Sequence, residues 1–301
     1  MLAGWKTYRD MEGMGGQAQY SDGYWTSKDG LTLHYRDYAG SKSRPPIICI
    51  PGLTRNARDF EHVAKRLAGD WRVICVELRG RGESAYAKDP MTYVPATYVE
   101  DMELLLAELK IKKFVSISTS LGGLVTMLLA AAKPGRVVGA LLNDIGPVLD
   151  PRGLARIRSS VGRSHNWPTW IHAARDLGEQ QRVVYPSYTL EDWLAYAKRV
   201  CRLTKQGRVV FDHDLRIAEP LKADPGLAVD LWPFYEALGE APIAILRGGL
   251  SDLLSEATAK DMARRLPNAK LTTVSGVGHA PALNEPAATR AIGALLKAVM
   301  T

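Results

Sequence analysis

KFVSISTSLGGLVTMLLAAA, residues 113–132, decides the fold because it predicts a buried strand that turns directly into a helix. The segment up to Ile117 is short, apolar and β-branched, as is typical of a buried strand. From Leu124 onward the run of Ala and Leu favours a helix, which Pro134 and Gly135 end. A sharp turn must therefore lie between these two segments.

Ser120 is at the centre of this turn. A strand that enters a helix so abruptly strains its central residue, and the residues two positions away must then be small. Ser118 and Gly122 meet this requirement, so the pattern is typical of a nucleophile elbow in which Ser replaces the usual first Gly. Such a turn would expose the Ser120 hydroxyl beside the N–H groups of the helix N-terminus. A serine-rich turn that only caps the helix remains the alternative.

Strands and helices alternate on both sides of this unit. The predicted strands are 24–27, 31–35, 47–50, 72–78, 113–117, 137–144, 242–249 and 270–274. Helical spacing of apolar residues predicts helices at 59–67, 97–109, 124–132, 255–266 and 285–299. Because most strands are continuously apolar, we expect an α/β fold with a largely parallel sheet covered on both faces.

The alternation is interrupted in the middle of the chain. We predict an N-terminal arm at 1–22, an α/β core made of 23–147 and 229–301, and a mostly helical cap at 148–228. The cap is rich in aromatic residues, and some of them could line a cleft where cap and core meet. The candidates are Trp167, Trp170, Tyr188 and Trp193. Packing of the cap onto the core is the alternative role for such residues.

Composition and charge exclude several classes of protein. With 301 residues, 46% of them hydrophobic, the chain can bury a large core. The net charge is +7, but the basic residues are not interleaved with aromatic residues as in a nucleic-acid-binding module, so no nucleic-acid partner is expected. The cluster of Arg152, Arg156, Arg158 and Arg163 is either a solvated helix face or a device that steers anionic substrates.

The expected location is the cytoplasm, with no membrane association. The three cysteines, Cys49, Cys75 and Cys201, form no framework, which suggests a reducing compartment. The N-terminus lacks the apolar core of a signal peptide, and no apolar run is long enough to span a bilayer. Because neither metal-ligand spacing nor a dinucleotide fingerprint is present, we expect no metal and no cofactor.

Three polar residues follow three different predicted strands: Ser120, Asp252 and His279. The ends of parallel strands share one edge of a sheet, so these side chains can converge. A serine becomes nucleophilic when an imidazole takes its proton and a carboxylate orients that imidazole. We therefore predict a triad of Ser120, His279 and Asp252. Asp144, which ends the preceding predicted strand, is a rival for the carboxylate role.

An oxyanion hole requires two backbone N–H donors. One is expected from Leu121, directly after the nucleophile. The other is expected from the loop after the 47–50 strand, where Leu53 is the best candidate.

Taken together, these motifs resemble those of the α/β-hydrolase superfamily. The resemblance rests on 51–54 (PGLT), 77–84 (ELRGRGES), the elbow, 249–252 (GLSD) and 278–279 (GH), and covers residues 24–300. It implies an eight-stranded, mostly parallel sheet, a helical cap after the sixth strand and catalysis without a cofactor. Pro51 stands where many relatives have His, and a Ser nucleophile argues against the dehalogenases and epoxide hydrolases.

The predicted function is hydrolysis of a small or medium carboxylic ester or lactone through an acyl-enzyme on Ser120. One alternative is a carbon–carbon bond hydrolase of ring-fission products, although the Ser-Gly-Pro-Gly loop usual in those enzymes is absent. Another is a non-catalytic ligand receptor on the same fold, which the retained triad residues disfavour. The expected partner is a small-molecule substrate, and the sequence leaves a homodimer open.

Overall fold

The computed structural model describes residues 19–223 and 229–301. Within them, eight strands form one sheet in the order β1-β2-β4-β3-β5-β6-β9-β10. Its strands are β1 Tyr20–Thr26, β2 Thr32–Tyr38, β3 Ile47–Ile50, β4 Val73–Glu77, β5 Phe114–Thr119, β6 Val137–Asn143, β9 Ile243–Gly248 and β10 Ala269–Val274. β2 is antiparallel to β1 and β4, and all other pairs are parallel. The predicted α/β-hydrolase sheet is confirmed.

Helices cover both faces of the sheet. The core helices are α1 Glu61–Leu67, α2 Pro95–Glu108, α3 Leu121–Ala132, α8 Trp232–Glu236, α9 Glu256–Arg265 and α10 Pro286–Val299. Apolar residues of α1 and α10 pack on one face, and those of α2, α3 and α9 pack on the other. A four-residue 3₁₀ helix, Ala57–Phe60, leads into α1.

The central strands are apolar throughout because both of their faces are buried. In β3, Ile47 and Cys49 belong to the core on one side of the sheet, whereas Ile48 and Ile50 belong to the core on the other side. All four side chains are fully buried. Truncation of such a side chain to Ala typically costs about 2–5 kcal/mol of stability, so this strand firmly fixes the loop that follows it.

The chain between β6 and β9 leaves the sheet. Its described residues form α4 Pro151–Ser160, α5 Trp170–Gln181, α6 Leu190–Val200, β7 Cys201–Leu203, β8 Val209–Phe211 and α7 Ala218–Ala223. β7 and β8 form a short antiparallel hairpin that the sequence did not indicate. The backbone carbonyl of Arg199 accepts hydrogen bonds from Asn56 Nδ2 and Arg58 Nε, both 3.0 Å long, so α6 is tied to the core.

The end of the predicted N-terminal arm, 1–22, overlaps the first strand. β1 begins at Tyr20, so residues 20–22 belong to the sheet, and residues 1–18 lie outside the described part of the chain. Pairing of Tyr20 with Tyr38, whose rings are 5.3 Å apart, extends the predicted hairpin toward the N-terminus. In residues 19–223 and 229–301, no helix has both the length and the apolar character needed to cross a membrane.

Candidate active site

The turn between β5 and α3 has the strained geometry expected of a nucleophile elbow. Ser120 has φ 52° and ψ −120°, a conformation that side-chain-bearing residues rarely adopt. A Cβ on Gly122 would lie 2.1 Å from the carbonyl oxygen of Ile50, so only Gly fits there. The backbone N–H of Ser120 donates to the carbonyl of Asn143 at 3.0 Å, which fixes the elbow to the end of β6.

Ser118 occupies the position where this kind of turn usually has Gly. Its side chain is fully buried, and its hydroxyl donates to the backbone carbonyl of Leu141 at 3.0 Å. The buried hydroxyl is thus satisfied by the neighbouring strand, and a buried polar group with a partner carries little penalty. This hydrogen bond explains why Ser is accommodated at the tight turn.

His279 follows β10 and reaches Ser120 as predicted from the sequence. Its Nε2 lies 2.9 Å from Ser120 Oγ, and its side chain is 10% exposed. The loop that carries it is held by the cap at two points. Gly278 N–H donates to the carbonyl of Val184 at 2.7 Å, and the Tyr185 hydroxyl donates to the carbonyl of Ala280 at 2.7 Å.

The carboxylate beside His279 is that of Asp144. Its Oδ2 lies 2.8 Å from His279 Nδ1, and its side chain is fully buried. Gly248 N–H donates to Oδ1 at 2.7 Å, and the Ser251 hydroxyl donates to Oδ2 at 2.6 Å. These donors give the buried carboxylate the hydrogen bonds without which its burial would be costly. The Asp144 backbone, like that of Ser120, has a positive φ, at 56°.

The structure corrects the predicted role of Asp252. Its carboxylate accepts two hydrogen bonds from Arg156, from Nε at 2.6 Å and Nη2 at 2.7 Å, so it faces α4 of the cap. The backbone carbonyl of Asp252 also accepts from Gly153 N–H at 3.0 Å, and a Cβ on Gly153 would clash with this loop. These contacts with Arg156 lower the pKa of Asp252. Asp252 therefore docks the cap and leaves the histidine to Asp144.

Strand order does not decide between Asp144 and Asp252. β6, which precedes Asp144, adjoins the strand of the elbow, whereas β9, which precedes Asp252, adjoins the strand that leads to His279. The order Ser, Asp, His along the chain does not discriminate, because both aspartates lie between Ser120 and His279. The bidentate partner Arg156 belongs to the cap, and its contact with Asp252 had no signal in the local sequence.

The loop after β3 lies against the nucleophile. A Cβ on Gly52 would be 3.6 Å from Ser120 Cβ, an ordinary contact distance. Leu121 is the first residue of α3, so its N–H has no acceptor within the helix. The carbonyl of Leu53 accepts from Arg81 Nε at 2.9 Å, which holds the backbone of this loop in place. The assignment of Leu53 and Leu121 as oxyanion donors stays a prediction compatible with these positions.

A cleft of about 150 Å³ opens above Ser120, between the core and the cap. Its aromatic lining consists of Phe60 from the core and Tyr185 and Tyr196 from the cap. The four predicted lining residues, Trp167, Trp170, Tyr188 and Trp193, are not in its wall. That prediction is wrong, because sequence alone does not tell which side of a cap helix faces the core.

Two of those four residues form a second layer behind the tyrosines. Tyr188 stacks on Tyr185 with ring centroids 4.4 Å apart, and Trp193 packs edge-on against both Tyr185 and Tyr196. Trp167 packs elsewhere, against Phe211 of the hairpin, with its indole N–H bonded to Asp176. Trp170 is partly buried against the core. The tyrosines suit the cleft wall because their hydroxyls need polar partners there.

Three arginines also line the cleft: Arg55, Arg156 and Arg199. Arg156 belongs to the arginine cluster noted in the sequence, whereas Arg55 and Arg199 were not identified as candidates. Arg55 directly follows the predicted oxyanion motif, which could have drawn attention to it. The lining carboxylate facing them is Asp59, which binds Arg55.

Comparison with known proteins places these features in context. The profile of a family described as the alpha/beta hydrolase family matches residues 47–292. A 3-hydroxybutyrate-oligomer hydrolase of Cupriavidus necator is 33% identical over 264 residues, which are 85% of this chain and 89% of that protein. A 2-(acetamidomethylene)succinate hydrolase of Mesorhizobium japonicum is 26% identical over 83% of this chain and 85% of its own length.

Among solved structures, an alpha/beta hydrolase from Novosphingobium aromaticivorans is similar over nearly the whole chain. It is 56% identical and superposes with a TM-score of 0.90, covering 94% of this chain and 99% of the other. The structure of E-2-(acetamidomethylene)succinate hydrolase superposes with a TM-score of 0.78 at 22% identity, covering 94% of this chain and all of the other, and shows the shared fold.

Proposed function

The chain belongs to the alpha/beta hydrolase family and is a hydrolase, and we propose that it cleaves carboxylic esters or lactones through an acyl-enzyme on Ser120. One observation carries this proposal. Asp144, His279 and Ser120 form an unbroken series of contacts, with side-chain distances of 2.8 and 2.9 Å. This is the arrangement by which a neutral serine is activated for attack on a carbonyl carbon.

In the first half of the reaction, His279 Nε2 takes the Ser120 proton while Oγ attacks the ester carbonyl. The carboxylate of Asp144 accepts a hydrogen bond from the Nδ1–H group of His279, which fixes the tautomer of the imidazole and stabilises the imidazolium. The N–H groups of Leu53 and Leu121 bind the oxyanion of the tetrahedral intermediate. The intermediate then expels the alcohol, which receives its proton from His279.

In the second half, His279 removes a proton from water, and the resulting hydroxide attacks the Ser120 ester. Collapse of the second tetrahedral intermediate releases the carboxylic acid, and Ser120 recovers its proton from His279. The overall reaction consumes one water and leaves the enzyme unchanged, so these steps need no bound cofactor.

The proposed substrates are esters of small or medium size. The cleft volume of about 150 Å³ and its tyrosine-lined wall suit a short acyl chain. The relative that is 33% identical is named for hydrolysis of 3-hydroxybutyrate oligomers, which are linear esters, so the shortest of them, the dimer, is the first natural candidate.

Replacement of Ser120 by Ala tests the proposal. We expect Ser120→Ala to lower turnover of 4-nitrophenyl butyrate and of the 3-hydroxybutyrate dimer by roughly 10⁴-fold or more, because the nucleophile is lost. Circular dichroism should show an unchanged fold, and a fluorophosphonate probe should label the unaltered protein but not the variant. Full ester turnover by folded Ser120→Ala would refute the acyl-enzyme, and lack of labelling of the unaltered protein would favour a non-catalytic receptor.

A further inference from the structure

The three cleft arginines differ in how fully their guanidinium groups are used. Arg55 donates from Nη2 to Asp59 at 2.7 Å and from Nη1 to the Tyr196 hydroxyl at 2.6 Å, and its Nε binds the same carboxylate. Arg156 is held by Asp252 through two hydrogen bonds. Both groups therefore have structural partners within the protein.

Arg199 has no comparable partner among the described residues. The nearest carboxylate oxygen, Oδ1 of Asp59, lies 3.7 Å from its Nε, beyond hydrogen-bond distance, and is already bound to Arg55. Its side chain is 25% exposed and lines the cleft. Its backbone, in contrast, is fixed by the two core hydrogen bonds to its carbonyl oxygen. Arg199 thus has guanidinium N–H groups that are available to a ligand, on a backbone that is held in place.

Positive charges outnumber negative charges among the described side chains around the cleft. The three cleft arginines have only two carboxylate partners among the described residues, Asp59 and Asp252, and Arg199 shares Asp59 with the more tightly bound Arg55, so this group carries a net positive charge. Its field reaches the neighbouring interior. The pKa of His62 is lowered to about 4, first by burial and then by the positive charges of Arg199 and Arg66. An anion in the cleft would therefore be stabilised.

We propose that Arg199 binds a carboxylate of the substrate and makes the enzyme selective for esters that carry a free carboxylate group. A guanidinium and a carboxylate form paired, charge-assisted hydrogen bonds, which are stronger than neutral ones. The inference rests on the proposed ester hydrolysis at Ser120, since the same cleft must hold both the ester and the carboxylate.

Matched substrate pairs test this selectivity. The first pair is the 4-nitrophenyl monoester of adipic acid and 4-nitrophenyl hexanoate, which differ by a carboxylate in the acyl part. The second pair is the 3-hydroxybutyrate dimer and its primary amide, which differ by a carboxylate in the alcohol part. Selectivity is the ratio of kcat/KM within each pair, and the pair with the larger ratio tells on which side of the scissile bond the carboxylate binds.

We expect Arg199→Gln to lower the selectivity in at least one pair by about 10-fold to 100-fold. Arg199→Lys, which retains the charge without the planar fork, should give an intermediate value. Lys198→Gln is the matched control, because it removes the same charge from an exposed neighbour on α6 outside the cleft wall. It should leave both ratios unchanged.

The outcomes separate the two proposals. Ratios that are the same in Arg199→Gln and the unaltered enzyme would overturn the carboxylate site while turnover of the neutral esters still supports hydrolysis at Ser120. Equal loss in Lys198→Gln would assign the effect to overall charge and also overturn the site. If no ester is turned over, ester hydrolysis fails, and calorimetric binding of the 3-hydroxybutyrate dimer to Ser120→Ala, with and without Arg199→Gln, still tests the site, with about 10-fold weaker binding expected for the double variant.

Discussion

Asp144 and Asp252 follow neighbouring strands at the same edge of the sheet, yet their surroundings are opposite. Asp144 is fully buried, accepts hydrogen bonds from an amide and a hydroxyl, and contacts His279. Asp252 is 31% exposed and is neutralised by the guanidinium of Arg156. This difference shows that a position directly after a strand is not enough to identify the carboxylate that contacts the histidine. The role of each carboxylate is decided by the side chains that contact it from elsewhere in the chain.

The two sites are also connected. Ser251, next to Asp252, donates its hydroxyl to Asp144, so one short loop serves both carboxylates. The Asp252 side of that loop receives α4 of the cap, whereas the Ser251 side completes the hydrogen bonds of Asp144. Variants in this loop should therefore separate chemistry from cap docking, and the predictions below rank them by expected effect.

The largest effect is expected at Asp144. Asp144→Asn should lower kcat/KM for 4-nitrophenyl butyrate by roughly 10³–10⁴-fold, because the amide cannot stabilise the imidazolium or hold the correct tautomer. Asp252→Asn should lower it by less than about 10-fold, since Asp252 does not touch His279. Steady-state kinetics with both variants, checked for folding by circular dichroism, decide the matter. The opposite ranking would return the orienting role to Asp252.

A smaller effect is expected at Ser251. Ser251→Ala removes one hydrogen bond to the carboxylate of Asp144, and a hydrogen bond to a charged group is worth about 1.5–3 kcal/mol, or roughly 10-fold to 150-fold in kcat/KM. Ser251→Thr keeps a hydroxyl and serves as the control, with activity closer to that of the unaltered enzyme. Loss in Ser251→Ala as large as in Asp144→Asn would mean that Asp144 depends on this single donor.

The smallest effect is expected for the pair of Asp252 and Arg156, and it concerns stability. A partly exposed ion pair contributes about 0.2–1 kcal/mol, so Asp252→Asn should lower the free energy of unfolding by no more than that at pH 7. Arg156 lowers the pKa of Asp252, so the contribution is complete above the ordinary Asp pKa of about 3.9. It is lost as the pH falls from there through the lower folded-state pKa.

Urea unfolding of the unaltered protein and of Asp252→Asn at pH 7 and near pH 3 measures this term. The difference between them should shrink at the lower pH, and Arg156→Gln should show the same trend. A difference that persists at low pH would show that Asp252 contributes through its backbone contacts with α4 and not through its charge.

Local sequence predicted those features that depend on neighbouring residues. The strained elbow at Ser120 follows from the small residues around it and the abrupt change from strand to helix. The position of His279 follows from the end of the last strand. Both predictions hold because the backbone alone, once folded into a parallel sheet, brings these residues to one edge.

Features that depend on contacts between distant parts of the chain cannot be predicted from local sequence. Position after a strand predicts Asp252 as the orienting carboxylate, and its contact with Arg156, 96 residues away in the cap, leaves no local signal in the sequence that would exclude it. The cleft tyrosines, Tyr185 and Tyr196, were missed because the orientation of a cap helix is set by how it packs on the core. The acceptance of Ser118 at the elbow likewise depends on a carbonyl of the adjacent strand.

The residues of the site are held in place by two different parts of the molecule, the sheet and the cap. Ser120 and Asp144 are held by the sheet itself, through Asn143 and Gly248. The segment around His279 relies on Val184 and Tyr185, which belong to the cap. A chain from which the cap has been removed would therefore keep the contacts that position Ser120 and Asp144 but would lose the hydrogen bonds that position the loop of His279. The cap thus holds the loop of His279 in place as well as lining the cleft.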